Sequence, residues 1–363
     1  MFRSYITRQY SLKTLYHKTM QLGVCGFGYS GSGAVLDLLK EYKSVNVADK
    51  VELSFTFKPD GLNDLRRAIC TEPTRHWSSD TAIRRFKQFM KRKRRIYNRA
   101  TNGKFGHLSD EFVKSITQVK WPGYTGTHYY QDSSISFFFN QLLALHIRVL
   151  YEKLFKPISW NLRPQKPMFY AYMTESEFNQ LAHDFVQKVL ASITDKPDKI
   201  IAVDQLFSAN RPQDSFAYFE DPKAILVLRD PRDTYLLAKR AVGIYSKFIP
   251  VDDVESFIKY YRGLMMSRSY GENKDSILEI NFEDLIYRHD ETRRAIEVFL
   301  DLSRKKEGEP LHFKPEVSIN NTQLWKRYPH YDADIKRIEE ELEEYLYHFE
   351  SFNLQPTFNT PAF

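Results

Sequence analysis

Residues 21–42 read QLGVCGFGYSGSGAVLDLLKEY, and the order of residue types in them sets the fold class. Leu22–Cys25 is a short apolar run of the kind that fills a buried strand. Gly26, Gly28, Gly31 and Gly33 then crowd a loop, with Ser30 and Ser32 between them. From Ala34 to Tyr42 apolar residues return at helical spacing. Strand, glycine loop and helix in that order aim free backbone N–H groups at an anion. Glycine permits the tight bend and lets a phosphate come close to the backbone. The stretch predicts a phosphorylated ligand held near the start of the chain.

The spacing fits more than one loop type. Gly26-x-Gly28-x-x-Gly31 matches the dinucleotide fingerprint, and Asp49, eighteen residues beyond Gly31, stands where a ribose-binding acid belongs. An NAD(P)-dependent Rossmann oxidoreductase is therefore the alternative reading. Gly26 and Gly31 also have the separation found in nucleotide kinases. There, however, a lysine and a magnesium-holding hydroxyl must follow, and here Ser32 and Gly33 do. Kinase chemistry and a magnesium requirement are not expected, and the Cys and His spacing suggests no zinc site.

A second block, Lys223–Arg240, reads KAILVLRDPRDTYLLAKR. Ala224–Leu228 suits a central parallel strand, and it runs into Arg229-Asp230-Pro231-Arg232-Asp233. Arginines at the carboxyl end of such a strand sit where open α/β sheets bind ligands, and a guanidinium fork suits a phosphate dianion.

Together these blocks resemble the sulfotransferases that use 3′-phosphoadenosine 5′-phosphosulfate. Ser30-Gly31-Ser32-Gly33 resembles their Ser-Gly-Thr-Thr-like turn, which cradles the phosphosulfate. Arg229–Asp233 resembles the element that holds the 3′-phosphate. Ile277–Leu302 resembles their strand, Glu-Asp-Leu turn and helix, and Phe313–Tyr328 resembles the late segment that closes over the nucleotide. The likeness spans roughly residues 21–48 and 200–349.

The resemblance implies a P-loop-like open parallel sheet with helices on both faces and a basic helical insertion. It also implies transfer of a sulfuryl group to an acceptor hydroxyl, with a glycan, anionic or not, as the expected acceptor. Carried over residue by residue, the nucleotide site would comprise Gly28, Tyr29, Ser30, Gly31, Ser32, Gly33, Arg229, Arg232, Ser318, Trp325 and Lys326.

The chain departs from the family pattern twice. Leu237 stands where relatives have a phosphate-binding serine, with Thr234, Lys239 and Arg240 as the nearby substitutes. Tyr29 stands where they have a lysine or arginine, so Lys50, Lys58 or an insertion residue must supply that cation. The second departure leaves a non-catalytic nucleotide-binding relative as a further alternative. For the base, Glu52 is expected, because Lys50-Val51-Glu52-Leu53-Ser54-Phe55 resembles the Lys-Glu-x-x-Phe setting of carbohydrate sulfotransferases. His128 and Asp204 are the alternates.

Charge is uneven. From Arg66 to Lys104 there are thirteen lysines and arginines against only Glu72 and Asp80, a local +11 that leaves the rest at −4 of the total +7. This basic stretch lies in an aromatic-rich segment, residues 60–150, expected as an acceptor-side insertion in one α/β domain spanning residues 21–363. Its partners by charge are an anionic glycan or lipid headgroup. No nucleic-acid-binding motif accompanies it, so nucleic acid is not expected.

Cys25 and Cys70 make no disulfide framework, and no apolar run reaches the roughly 20 residues of a membrane span. The expectation is a cytoplasmic protein with no transmembrane span and at most peripheral membrane contact. Residues 1–20 are basic and read as an arm or extension.

Strands are predicted at Leu22–Cys25, Val45–Ala48, Ile200–Val203, Ala224–Leu228 and Ile277–Ile280. Helices are predicted at Ala34–Tyr42, Asp80–Arg99, Phe137–Phe155, Glu175–Thr194, Thr234–Ala241, Glu255–Ser269 and Glu291–Leu300, with a long charged helix at Asp334–Phe349. Asn102–Ser136 and Pro157–Pro167 are expected as loops.

Overall fold

Each of the five apolar runs forms a strand, and the five strands pair in one parallel sheet. The computed structural model describes residues 19–123, 166–194, 200–243, 247–303 and 312–349, with isolated residues of 135–153 and 352–358. Its strands are β1 (Met20–Gly26), β2 (Val45–Ala48), β3 (Val119–Gly123), β4 (Lys166–Tyr170), β5 (Ile200–Asp204), β6 (Asp221–Leu228) and β7 (Ile277–Asn281). The sheet order is β2-β5-β1-β6-β7, while β3 and β4 form a separate antiparallel ribbon.

The helices that matter below are α1 (Ser32–Leu39), α2 (Leu62–Arg66), α3 (Trp77–Ala100), α4 (Phe105–Ile116) and α5 (Glu175–Ala191). They are followed by α6 (Pro231–Arg240), α7 (Val254–Met266), α8 (His289–Leu300) and α9 (Asp332–Glu341).

Strand side chains alternate between two cores, as the period of two requires. Leu22, Val24, Ala202, Ile225 and Val227 face one core, which Val35, Leu36 and Leu39 of α1 and Ile296 and Leu300 of α8 complete. Cys25, Ile201, Val203, Ala224 and Leu226 face the other, which holds Ile83, Phe86, Phe112, Phe178 and Phe185 from α3, α4 and α5. Helices thus cover both faces of the sheet. Gly23 is needed because a Cβ there would lie 2.4 Å from the Phe207 ring.

β2 and β5 are neighbours, so everything between them belongs to one long crossover. α3 and α4, the basic insertion, are therefore anchored to one face of the sheet. Asp80 is the clamp. Fully buried, it accepts from Arg84 Nε (2.8 Å) and from the backbone N–H of Phe169 in β4 (2.9 Å).

Three expectations change. Asn102–Ser136 is not loop throughout, because α4 and β3 occupy part of it. Phe105, Ser109, Phe112, Val113 and Ile116 are buried at helical spacing, a signal that the surrounding Gly and Tyr residues masked. Lys166 and Pro167, expected in a loop, begin β4. The charged helix ends at Glu341 instead of reaching Phe349. Carboxylates accumulate at its carboxyl end, where the helix dipole disfavours them. Residues 1–18, His128 and most of the helix predicted at Phe137–Phe155 lie outside the described residues.

Asp80→Ala should lower stability by about 3 kcal/mol, because it strands the Arg84 charge and a buried N–H together. Urea denaturation measures this, and a change under about 1 kcal/mol would show that Asp80 is no clamp.

Candidate functional site

The strand order places the site. After β1 the chain goes to β2 and β5 on one side, then crosses to β6 and β7 on the other. In open α/β sheets, ligands bind outside the carboxyl ends where the order reverses. Three segments meet there: the loop after β1, Asp204-Gln205 after β5, and Arg229 after β6.

The loop owes its shape to two residues at positive φ, Tyr29 at 66° and Gly31 at 85°. Gly31 N-caps α1 with no side-chain cap, and the first turn of the helix holds no acid. The positive end of the helix dipole is therefore uncompensated by any local carboxylate. A Cβ at Gly31 would fall 2.5 Å from the Phe282 ring, whereas one at Gly33 meets nothing within 4 Å. The helix end is thus pinned from below and open above. Gln205 bridges loop and helix, accepting from Gly26 N–H and donating to Ser32 Oγ, both at 3.4 Å.

Arg229 is 4% exposed and reaches across the site. Its Nη1 donates to the Tyr29 carbonyl (3.1 Å), its Nη2 donates to the Asn321 carbonyl, and the guanidinium lies 4.5 Å from the Phe282 ring centre. Its Nε has no partner, and neither does buried Ser30 Oγ. Both residues line one small cavity of about 10 Å³ beneath the loop, together with Thr234. That is room for about one oxygen-sized group. Burial lowers the Arg229 pKa, against the pull of Asp233, Glu283 and Asp230. The same burial pushes the Asp233 and Glu283 carboxyls above the usual range.

Arg232 is differently placed. It pairs with Asp230 (2.7 Å) and Glu339 (2.8 Å) and stacks 3.9 Å from the Trp325 ring centre. Its donors and its flat face serve the fold. Trp325 acts as its platform, and Lys326 is exposed, donating to Gln355 (2.6 Å). Ser318 ends a short helical turn. The late segment is held to the arginine block through Asp233, which accepts from Gln323 N–H (3.0 Å) and Leu324 N–H (2.8 Å). Of the substitutes for the missing serine, Lys239 donates to the Val251 carbonyl (2.6 Å) and Arg240 lies over Tyr328. Only Thr234 shares the cavity with Arg229.

The two carboxylates considered as bases separate clearly. Glu52 is exposed and pairs with Lys58 at 3.5 Å. Asp204 ends β5 beside the loop, and its buried Oδ1 has no partner. Burial first, then the charges of Glu52 and Asp49, push its pKa up to about 6. Sequence alone underrates Asp204, because the signal is burial without a partner.

Asp49 does not meet the dinucleotide pattern. β5 separates β2 from β1, so the acid after β2 stands two strands from the glycine loop, and it pairs with Lys40 (2.5 Å). Among the described residues no group of three His, Cys, Asp or Glu side chains could hold a metal ion, and both cysteines are free. No protein-family model matches the chain, and no curated protein matches it.

Gly31→Ala should cost about 1–2 kcal/mol from its left-handed backbone alone, and more from the Phe282 contact. Gly33→Ala should leave the fold intact or stabilise it by about 0.5–1 kcal/mol, since it sits in the helix with open space around it. Urea midpoints test the pair. Equal destabilisation of both would contradict the loop geometry.

Proposed function

We propose that this chain is a sulfotransferase that takes 3′-phosphoadenosine 5′-phosphosulfate as donor and a hydroxyl, on a glycan, as acceptor. One observation carries the reading. Ser30 Oγ and Arg229 Nε are both buried and unpartnered, and their residues line one small cavity beside the loop after β1. An unpaired buried polar atom costs about 1–3 kcal/mol, and an anionic oxygen at the loop satisfies both. The same site joins the two motifs that resemble the family, the glycine loop and the Arg-Asp-Pro-Arg-Asp segment.

In this reading the N–H groups at the start of α1 bind the phosphosulfate end. Arg229 holds the loop through the Tyr29 carbonyl and offers its free Nε to the nucleotide. Arg232 holds Asp230 and Trp325 in place and does not touch the ligand.

Asp204 takes the proton of the acceptor hydroxyl as that oxygen attacks sulfur, while the bond from sulfur to the bridging phosphate oxygen breaks. Its raised pKa leaves it ionised at neutral pH yet more basic than an ordinary aspartate. Glu52 acts through its charge, which helps to raise that pKa.

Adenosine 3′,5′-bisphosphate at about 100 times its dissociation constant should stabilise the protein by about 2.7 kcal/mol, and NAD should not. Thermal unfolding with each ligand tests this, and stabilisation by NAD alone would overturn the proposal.

Asp204→Asn should keep the bisphosphate shift and lower turnover by about two to four orders of magnitude. In the unsubstituted protein the rate should fall as pH drops through about 6. Stability moves the other way. The folded pKa lies above the unfolded value of about 3.9, so the folded state loses stability as pH rises from 4 to 6. Asp204→Asn removes that loss and should raise neutral-pH stability by on the order of 1–3 kcal/mol. A less stable Asn variant with full turnover would show that Asp204 is structural.

A further inference from the structure

We infer that the outer face of α3 docks the protein on an anionic lipid surface. The helix turns Ile83, Phe86, Met90 and Tyr97 into the core. On its opposite side lie Gln88, Lys91, Arg92, Arg95 and Arg99, each three or four residues from another of the set, all exposed. From Gln88 to Arg99 the row is about 16 Å long at 1.5 Å per residue.

Among the described residues none of these four cations has an ion pair, unlike Arg84 and Arg85, which pair with Asp80 and Asp60. No acidic residue follows Asp80 in the helix, so nothing on α3 offsets the row. Four like charges held side by side on a rigid helix repel one another, and a surface of opposite charge relieves that repulsion.

The choice of a lipid surface rests on what accompanies the charge. Ile96 flanks the row, beside Arg92 and Arg99, and is 44% exposed, and Trp77, on the same side at the start of the helix, is also 44% exposed. A tryptophan, an aliphatic side chain and a strip of cations on one helix face match the interfacial zone of a bilayer. The same insertion exposes the helical residues Ile135 (71%) and Leu150 (62%).

Nucleic acid fits less well. No exposed aromatic is interleaved among the cations to stack a base, and the face is the convex side of a helix and not a groove that tracks a strand. Each lysine or arginine close to an anionic leaflet adds about 1 kcal/mol, and the attraction fades within a Debye length. The inference does not depend on the nucleotide site.

The test is vesicle flotation of the full chain at low and high salt. One set of vesicles is pure phosphatidylcholine and the other contains phosphatidylglycerol. The expected result is binding to the anionic vesicles only, weakened by salt. A variant with Lys91→Gln, Arg92→Gln, Arg95→Gln and Arg99→Gln should bind about a hundredfold more weakly or worse, with a melting temperature no lower than the parent's, because these side chains repel one another and form no ion pair among the described residues. Ile96→Ser, which changes no charge, should also weaken binding, which a purely electrostatic contact with a soluble polyanion would not require. The inference fails if neither vesicle binds, if both bind equally, or if the fourfold variant binds like the parent. It also fails if the protein is held by heparin or duplex DNA and ignores anionic vesicles.

Discussion

Burial of the Arg229 guanidinium is the constraint on which the rest of the site depends. A cation taken out of water must find compensation nearby. Arg229 finds it in Asp233, Glu283 and Asp230, and in the carbonyls of Tyr29 and Asn321. Those partners come from the loop after β1, the start of α6, the turn after β7 and the late segment. One buried charge therefore joins segments up to 292 residues apart, from Tyr29 to Asn321. Glu283 accepts from the Asp230 N–H (3.0 Å), and Asp233 caps two N–H groups of the late segment, so the carboxylates are held as firmly as the arginine.

The energetics of this cluster are not those of a stabilising salt bridge. Burial shifts Arg229 and the Asp233 and Glu283 carboxyls toward their neutral forms. For charges buried this deeply the desolvation penalty can exceed the mutual attraction. What such a cluster supplies is position. It fixes the Tyr29 carbonyl and hence the left-handed turn that leads into α1. Arg232 does the complementary work on the outside, clamped between Asp230, Glu339 and the face of Trp325.

The insertion obeys a different rule. Its aromatic residues fill one core of the sheet, with Phe112 stacked on Phe185 at 4.9 Å, while its charges remain in water. Asp80 is the exception that makes this arrangement rigid, since it joins α3 to β4 from within the core. A basic face on an anchored helix differs physically from a basic tail. The spacing of its charges is set by the helix, and little conformational freedom is lost when it meets a surface.

Much of the framework was legible in the sequence because strands depend on local composition. Five apolar runs bounded by polar residues gave all five strands of the sheet, and the glycines of residues 26–33 marked the loop after β1. α4 was missed although its period was present, because glycine and tyrosine nearby suggested a loop. Tertiary structure alone decided what each polar side chain does. Arg229 and Arg232 look alike in a five-residue motif, yet one faces a cavity with a free Nε and the other is enclosed by two acids and an indole. Glu52 had the better local context, but Asp204 is the carboxylate that burial perturbs. Asp49 had the spacing of a ribose ligand until β5 took the place between β2 and β1. The physical reason is common to all three. Apolar periodicity is written along the chain, whereas desolvation and charge pairing depend on which distant segments fold against a given side chain.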